Sequence, residues 1–318
     1  MPHGNQDTVL PRAMLPSLSR NGNFMNSLFA LDRRPKYVPP WELKPMPGES
    51  EKQLQYRQGE QYFQEQIEEN VQWWERLDFR CNFRDAKVLE LGCGHGAMSI
   101  SLAEAGAAEV LGIDIDANHI DFAKEVLLTR FLARKDKVTF ALDDVRKLTS
   151  FGHFDYVISK DSFEHIENLE TVIPTLARLL KPGGKLIVGF SPLYYSPFGD
   201  HGRLHLPRGL WLHAFLPDRV ALKWLSFRAG TKFNSMGDIG LNKITPRQFR
   251  KLFAQSTWKE VAIRYNRGGR RLLPLMSRIR RISWLERYFT VSIYAVFEMV
   301  SAENINSKAS LGMAAFQQ

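Results

Sequence analysis

Short runs of branched aliphatic residues recur through the middle of the chain, each closed by Gly, Asp or Ser and followed by a longer amphipathic stretch. Lys87–Leu91, Val110–Asp114, Val138–Leu142, Tyr156–Ser159 and Lys185–Phe190 read as five short strands. Their near-continuous apolar character is that of strands covered on both faces, as in a parallel sheet. Ala97–Ala105 opens on small residues and reads as a helix. Asn118–Arg134 reads as another, with Ile120, Ala123, Val126, Leu127 and Phe131 on its inner side. Ahead of the first strand, Tyr56, Phe63, Ile67, Val71, Trp74 and Leu77 recur at three- and four-residue steps between Gln and Glu, which predicts an amphipathic helix over 50–79. Beyond the fifth strand, Asn242–Thr257 predicts a helix capped by Thr245 with Pro246 at its first position. Trp258–Tyr265 and Thr290–Val300 supply two more strands.

The densest chemistry lies between the first strand and its helix, in Val88-Leu89-Glu90-Leu91-Gly92-Cys93-Gly94-His95-Gly96. Glycines at alternate positions permit positive φ and close backbone approach. A strand, a glycine turn and a helix N-terminus together make a cradle of backbone N–H groups. With Ala97 as the last small residue the spacing also fits a dinucleotide fingerprint, and Asp114 stands about where a ribose-binding acid is expected. The glycines alone therefore leave NAD open. Glu90, two residues before the first glycine, changes the balance: a carboxylate there repels a pyrophosphate but suits a ligand with an ammonium and a sulfonium.

With these residues in place, the chain resembles the class I S-adenosylmethionine-dependent methyltransferases, in their small-molecule branch. The resemblance rests on Val88–Gly96, Gly112-Ile113-Asp114-Ile115-Asp116, Asp143-Asp144-Val145, Phe154-Asp155-Tyr156-Val157-Ile158 and Leu180-Lys181-Pro182-Gly183-Gly184-Lys185-Leu186. It covers about residues 85–191 closely and 240–300 loosely. It implies a Rossmann-like α/β fold: a seven-stranded, mostly parallel sheet, helices on both faces, an antiparallel last strand and a helical lid inserted after strand five. The cofactor it implies is S-adenosylmethionine, bound by Glu90, Gly92, Cys93, Gly94, Gly96, Asp114, Ile115, Asp144, Val145 and Ser159. In that scheme Asp114 accepts from the ribose hydroxyls and Ile115 walls the adenine. Asp144 accepts from the adenine amino group, and the Val145 N–H donates to a ring nitrogen. For Asp144 the plain structural alternative is a helix N-cap, and for Cys93 it is a small filler. The Pro-Pro-aromatic tetrapeptide of amine and adenine methyltransferases is absent after strand four, where Lys160-Asp161-Ser162-Phe163-Glu164-His165 stands instead. An oxygen or carbon acceptor is expected on that ground.

The implied organisation is an extended arm over 1–50, a helix over the cofactor site at 51–80, and the cofactor-binding core at 81–191. A lid follows at 192–240, then the remainder of the core at 241–300 and a tail at 301–318. The arm has Pro35, Pro39, Pro40, Pro45 and Pro47, and Phe24, Phe29 and Trp41 to dock it. Tyr56 and Arg57 of the helix could reach the methionine end, although packing is the simpler role for its aromatics. The lid begins with Ser191-Pro192-Leu193-Tyr194-Tyr195-Ser196-Pro197-Phe198-Gly199-Asp200-His201 and continues in helical stretches carrying Leu210, Trp211, Phe215, Val220, Leu222 and Trp224. Catalytic candidates at the carboxyl edge of the strands are His165, Asp161 and His201, with His205 behind them. A base that removes the acceptor's proton would assist transfer; equally, the Glu164-His165 pair could orient its loop. Tyr194 and Tyr195 either line the acceptor pocket or pack the lid.

Bulk composition adds little. The chain is 44% hydrophobic and 24% charged, with a net charge of +9, and at 318 residues it is long enough for one full core. Two cysteines, Cys81 and Cys93, give neither a disulfide framework nor a zinc pattern, so no metal is expected, and a reduced cytoplasmic compartment is the default. Neither a secretory signal nor an apolar run of roughly 18 residues is present. Arg267, Arg270, Arg271, Arg278, Arg280, Arg281 and Arg287, interleaved with Leu, Ile and Trp, form either a solvated helix face or a weak contact for an anionic surface. The leading reading is methyl transfer to a small-molecule oxygen nucleophile. A methyltransferase acting on RNA or protein, and an inactive scaffold of the same fold, stand as alternatives.

Overall fold

The computed structural model describes residues 40, 43–149, 152–204, 206, 211–254, 257–269 and 271–300. Most of the arm, including Phe24, Phe29 and Trp41, lies outside the described residues, as do His205, Leu210, Arg270 and the 301–318 tail. Seven strands are described: Val138–Leu142, Glu109–Asp114 and Lys87–Leu91 lie side by side in that order in one unit, and Phe154–Lys160, Leu180–Phe190, Ile293–Met299 and Trp258–Tyr265 in the other. The chain divides into two compact units, Met1–Asp143 and Asp144–Gln318.

The first unit holds α1 (Glu51–Leu77), β1 (Lys87–Leu91), α2 (Ala97–Glu104), β2 (Glu109–Asp114), α3 (Ala117–Arg130) and β3 (Val138–Leu142). The three strands are parallel, with Glu90 opposite Gly112 and Asp114 opposite Leu142. Val88, Leu89, Val110 and Ile113 are fully buried, each contributing about 1.5–3 kcal/mol of burial. α1 starts at a capping box in which the Ser50 hydroxyl accepts from the Gln53 N–H and the Gln53 side chain accepts from the Ser50 N–H. Its buried face differs from the expected stripe. Gly59, Phe63, Asn70, Trp73 and Leu77 face inward, whereas Tyr56 and Val71 are partly exposed. The rotation follows from Gly59, where a side chain would collide with the Phe122 ring, and from Asn70, whose amide donates to the Ser101 hydroxyl at 3.1 Å. Tyr56 packs on Phe122, and Arg57 is engaged by Glu49 at 2.7 Å. Both therefore have structural work. α3 buries Ile120, Ala123, Val126 and Leu127 as expected and ends at Arg130; a 3-10 turn covers Leu132–Arg134.

The second unit holds β4 (Phe154–Lys160), α4 (Leu169–Leu179), β5 (Leu180–Phe190), α5 (Leu212–Phe215), α6 (Asp218–Ala229), α7 (Pro246–Phe253), β6 (Trp258–Tyr265), α8 (Leu273–Ile279), α9 (Glu286–Phe289) and β7 (Ile293–Met299). β4 and β5 pair parallel, while β7 runs antiparallel to both β5 and β6. The Thr245 cap and Pro246 stand where the sequence puts them, with Gln248 closing a capping box. Phe163, Phe190, Phe249, Phe253 and Phe297 pack together, the last two stacked at 3.8 Å. The segment after β5 builds a core of its own from Tyr194, Leu204, Ala221, Leu222, Leu225, Met236, Ile239 and Leu241. Of the apolar residues carried by its helical stretches, Leu222 is buried while Phe215, Val220 and Trp224 are exposed.

The basic segment is also not uniformly solvated. Glu286 takes a two-oxygen pair with Arg250 at 2.7 Å, and Arg280 joins the same carboxylate at 2.7 Å while covering the Tyr265 ring. Arg280 is therefore a fold residue rather than a surface charge.

One position tests the packing of the first unit. Gly96 has φ +87°, and a Cβ there would lie 2.6 Å from Phe140 Cζ and 3.0 Å from Ala123 Cβ. Gly96→Ala should cost about 3 kcal/mol by urea unfolding, from left-handed strain and overpacking together; a loss below about 1 kcal/mol would contradict this packing.

Candidate cofactor and active-site residues

In the first unit the cradle forms because the β-ladder continues past the end of β1. The Gly92 and Cys93 N–H groups both donate to Ile113 O, at 2.9 and 3.0 Å, which holds the glycine turn against the tip of β2. Asp114 then binds the turn directly: its Oδ2 accepts from the Gly94 N–H and its Oδ1 from the Asp116 N–H, both at 2.9 Å. Burial opposes ionisation of Asp114, but His119 and these two N–H groups outweigh it and hold the carboxyl below the usual range. Gly94 has φ +49° with open space where a Cβ would stand. Ile115, next along the strand tip, is 80% exposed.

Glu90 is buried and accepts from the Ser99 hydroxyl. Cys93 is buried, and desolvation with the Glu90 and Asp114 charges pushes its thiol far up. It is a thiol rather than a reactive thiolate at neutral pH.

Two histidines that the sequence reading left unassigned belong to this region. His95, inside the glycine turn, lies 4.6 Å from His119, 4.9 Å from Phe122 and 5.0 Å from Tyr62, ring to ring. Burial, then the neighbouring His119, lowers its pKa to about 4. His119 is raised instead, chiefly by Asp114, whose Oδ1 lies 3.7 Å from Nδ1, an ion-pair distance rather than a hydrogen bond. The available signal was positional: His119 sits in the first turn of a helix capped by Asp116, close behind the Asp114 strand tip.

In the second unit Asp144 caps the 3-10 turn Val145–Lys147. Its oxygens hold the Arg146 N–H and guanidinium at 2.6–3.0 Å, and the Arg146 side chain lowers its pKa. The capping role is thus filled. Val145 and Ser159 are buried.

His165 and His201 come together after β4 and β5, whereas Asp161 lies only close enough to Glu164 for its charge to act there. The His165 and His201 rings are 4.9 Å apart. His165 Nδ1 is 2.6 Å from Gly240 O, and His201 Nε2 is 3.0 Å from Pro192 O. Burial lowers both imidazoles, His201 to about 3. So low a value makes His201 a weak proton acceptor. Glu164, read from the sequence only as a possible orienting partner, is 4% exposed, and neither carboxylate oxygen has a hydrogen-bond partner. Desolvation and the Asp161 charge push its carboxyl up, while its own N–H and that of Ser191, close to the carboxylate but outside hydrogen-bond geometry, and Arg203 pull the other way. Asn242 fixes this loop: its amide donates to Phe163 O and to Ile166 O, and its own N–H donates to Glu164 O. Tyr194 packs within the inserted segment, its hydroxyl donating to His213 O at 3.1 Å while His213 Nε2 donates to Tyr194 O at 2.7 Å. Tyr195 lies beneath Lys243 and Arg287.

Residues 82–191 match the model of a methyltransferase domain. A ubiquinone biosynthesis O-methyltransferase of Azoarcus sp. (strain BH72) is 29% identical over 175 residues, 53% of this chain and 74% of that protein. Another, from Colwellia psychrerythraea, is 34% identical over 123 residues, 38% of this chain and 48% of that protein. Phosphoethanolamine N-methyltransferase 1 of Triticum aestivum is 32% identical over 123 residues, 38% of this chain and 23% of the wheat protein. The chain thus spans less than half the length of the last two relatives. A crystal structure described as an S-adenosylmethionine-dependent methyltransferase from Listeria monocytogenes shares the fold, with a TM-score of 0.50 at 16% identity over 73% of this chain and all of that one. Residues 82–191 of the chain thus form a methyltransferase-type domain on a Rossmann-like fold. Among the described residues no helix is long and apolar enough to cross a membrane.

The depressed histidines set a pH dependence. His95 has a folded pKa of about 4 against an ordinary 6.5, so the unfolded chain takes its proton first. Stability from this group is complete above pH 6.5 and falls as pH drops towards 4, by on the order of 3 kcal/mol. His119, raised, works in the opposite sense and is fully stabilising below pH 6.5. Urea midpoints should fall between pH 7.5 and 5, and His95→Asn should flatten that slope; an unchanged slope would refute the assignment.

Proposed function

We propose that the chain transfers the methyl group of S-adenosylmethionine to an oxygen of a small-molecule acceptor. The observation that carries the cofactor half is the Asp114 carboxylate, held ionised at the open side of a glycine turn beside an exposed Ile115. A carboxylate suits a vicinal diol, because charged acceptors strengthen both hydrogen bonds. An exposed aliphatic side chain suits the face of a purine. The open space at Gly94 lets a ligand approach the backbone. Glu90 adds negative charge below the turn, matching a cationic ligand better than a diphosphate. Asp144, Val145 and Ser159 carry their proposed cofactor contacts on motif position alone.

When bound, S-adenosylmethionine supplies a methyl carbon made electrophilic by a positively charged sulfur. What remains for the chain is to orient the acceptor, exclude water and receive a proton. His165 is neutral at physiological pH. With its Nδ1–H given to Gly240 O, its Nε2 carries the lone pair that would accept that proton. Two features favour oxygen: the absence of a Pro-Pro-aromatic sequence after β4, and similarity to an O-methyltransferase across most of that relative's length. The N-methyltransferase matches are shorter relative to their proteins. The segment at 192–240, with its own core, is proposed as the acceptor-binding lid.

A second contact is favoured by the surface around α8. Leu273 and Met276 are buried, whereas Leu272, Leu275, Ile282 and Trp284 face solvent, Trp284 at 71% exposure. Arg271, Arg278 and Arg281 stand among them. This pairing of apolar and cationic groups suits weak contact with an anionic bilayer surface.

Two experiments test these readings. Calorimetry should show S-adenosylmethionine binding that weakens about 10–100-fold in Asp114→Ala, from loss of charge-assisted hydrogen bonds, and is abolished in Gly94→Arg; intact binding in both variants would remove the site, and transfer to amines but never to hydroxyls would remove the oxygen assignment. For the surface contact, the chain should co-sediment with vesicles containing anionic phospholipid, less so at high salt and in Trp284→Glu. Equal binding to neutral vesicles would overturn that contact.

A further inference from the structure

We propose that Glu164, His165 and His201 form a binding site for a divalent transition-metal ion of the zinc type. One ligand-capable atom from each residue lies within 4.8 Å of the other two. The hydrogen bonds around them determine which ring nitrogens keep a lone pair for an ion. A carbonyl oxygen can only accept, so His165 must carry its proton on Nδ1, facing Gly240 O at 2.6 Å. By the same logic His201 carries its proton on Nε2, facing Pro192 O at 3.0 Å. The remaining nitrogens, His165 Nε2 and His201 Nδ1, are then bare lone pairs; an ion held there takes the place of the proton proposed for His165 Nε2, so that role belongs to the metal-free chain. Metal-bound histidines characteristically give their other N–H to a carbonyl or carboxylate, which fixes tautomer and ring plane.

Glu164 supplies the independent observation. Its carboxylate is buried with neither oxygen hydrogen-bonded, a burden of about 1–3 kcal/mol per unsatisfied group. Were the cluster an acid–base relay, the carboxylate would receive an imidazole N–H. It receives none, because both N–H groups are committed to backbone carbonyls. What the three groups offer is two lone pairs on nitrogen and an unpartnered carboxylate, and a cation satisfies all of them at once.

The chemical class follows from the donors. Two imidazoles and one carboxylate suit Zn²⁺, Fe²⁺ or their neighbours, whereas Mg²⁺ and Ca²⁺ favour all-oxygen sets. Three protein ligands leave coordination positions open, as sites that bind an exchangeable oxygen ligand require. The surrounding charges point both ways: Asp161 adds negative charge next to Glu164, and Arg203 offsets part of it. Asp200, next to His201 in the chain, keeps a third buried carboxylate oxygen without a partner. The frame is rigid. Asn242 fixes the Phe163–Ile166 backbone, and His201 sits at φ +53°. No compact sequence pattern reveals the site, because the ligands come from two loops far apart in the chain.

The test uses the full chain stripped with a chelator and titrated with Zn²⁺ against a chromogenic competitor, and with Co²⁺ by its visible absorption. One ion per chain is expected, with a thermal midpoint that rises on loading. Glu164→Gln and His201→Asn should each weaken binding at least tenfold, while His95→Asn, at the other histidine cluster, should leave it unchanged. S-adenosylmethionine binding in each variant reports folding independently of the metal. Absence of Zn²⁺ and Co²⁺ binding by the wild-type chain would overturn the proposal. So would a site indifferent to both variants, or one that takes Mg²⁺ in preference to Zn²⁺.

Discussion

The Asp114 carboxylate is the contact on which the first unit's chemistry depends. It ties the tip of β2 to the glycine turn through Gly94 and starts the next turn through Asp116. A single ionised side chain thereby sets the conformation of two consecutive loops. Glycine is required in the turn for two separate reasons: at Gly94 the space must stay open, and at Gly96 it is already filled by Phe140 and Ala123. The same carboxylate also raises the basicity of His119, so the electrostatics of the strand tip extend into α3.

Much of this was legible in the sequence. The strands β1 and β3 and the turn between β1 and α2 follow from aliphatic runs closed by glycine, and Thr245-Pro246 marks the start of α7. Periodicity was less reliable where one face carries a glycine or an amide. On α1 the aromatic stripe suggested Val71 and Tyr56 as inward positions. A close approach at Gly59 and a buried amide at Asn70 turned the helix towards Trp73 instead. Apolar spacing records what can be buried, not which neighbour comes nearest.

The chemistry after β4 was harder to read for a different reason. His165 and Asp161 were visible as polar residues at a strand end, and His201 as a histidine in a long loop. The setting of His165 depends on a third segment, in which Gly240 O accepts from its ring and the Asn242 amide donates to the carbonyls of Phe163 and Ile166. Such contacts use main-chain carbonyls, which every residue has and no sequence pattern marks. Glu164 was unremarkable as a letter and became significant only once burial left its oxygens without donors. Likewise Arg280, one of seven arginines in a basic run, left the surface because Glu286 and Tyr265 took it into the fold.

The segment from Tyr194 to Leu241 packs around its own apolar cluster and closes on itself through the reciprocal Tyr194–His213 pair. A region that keeps its shape from within can tolerate exchange of its outward residues. On the proposed assignment, donor recognition, tied to Gly94 and Asp114, and acceptor choice, carried by this segment, would then diverge at different rates over evolutionary time.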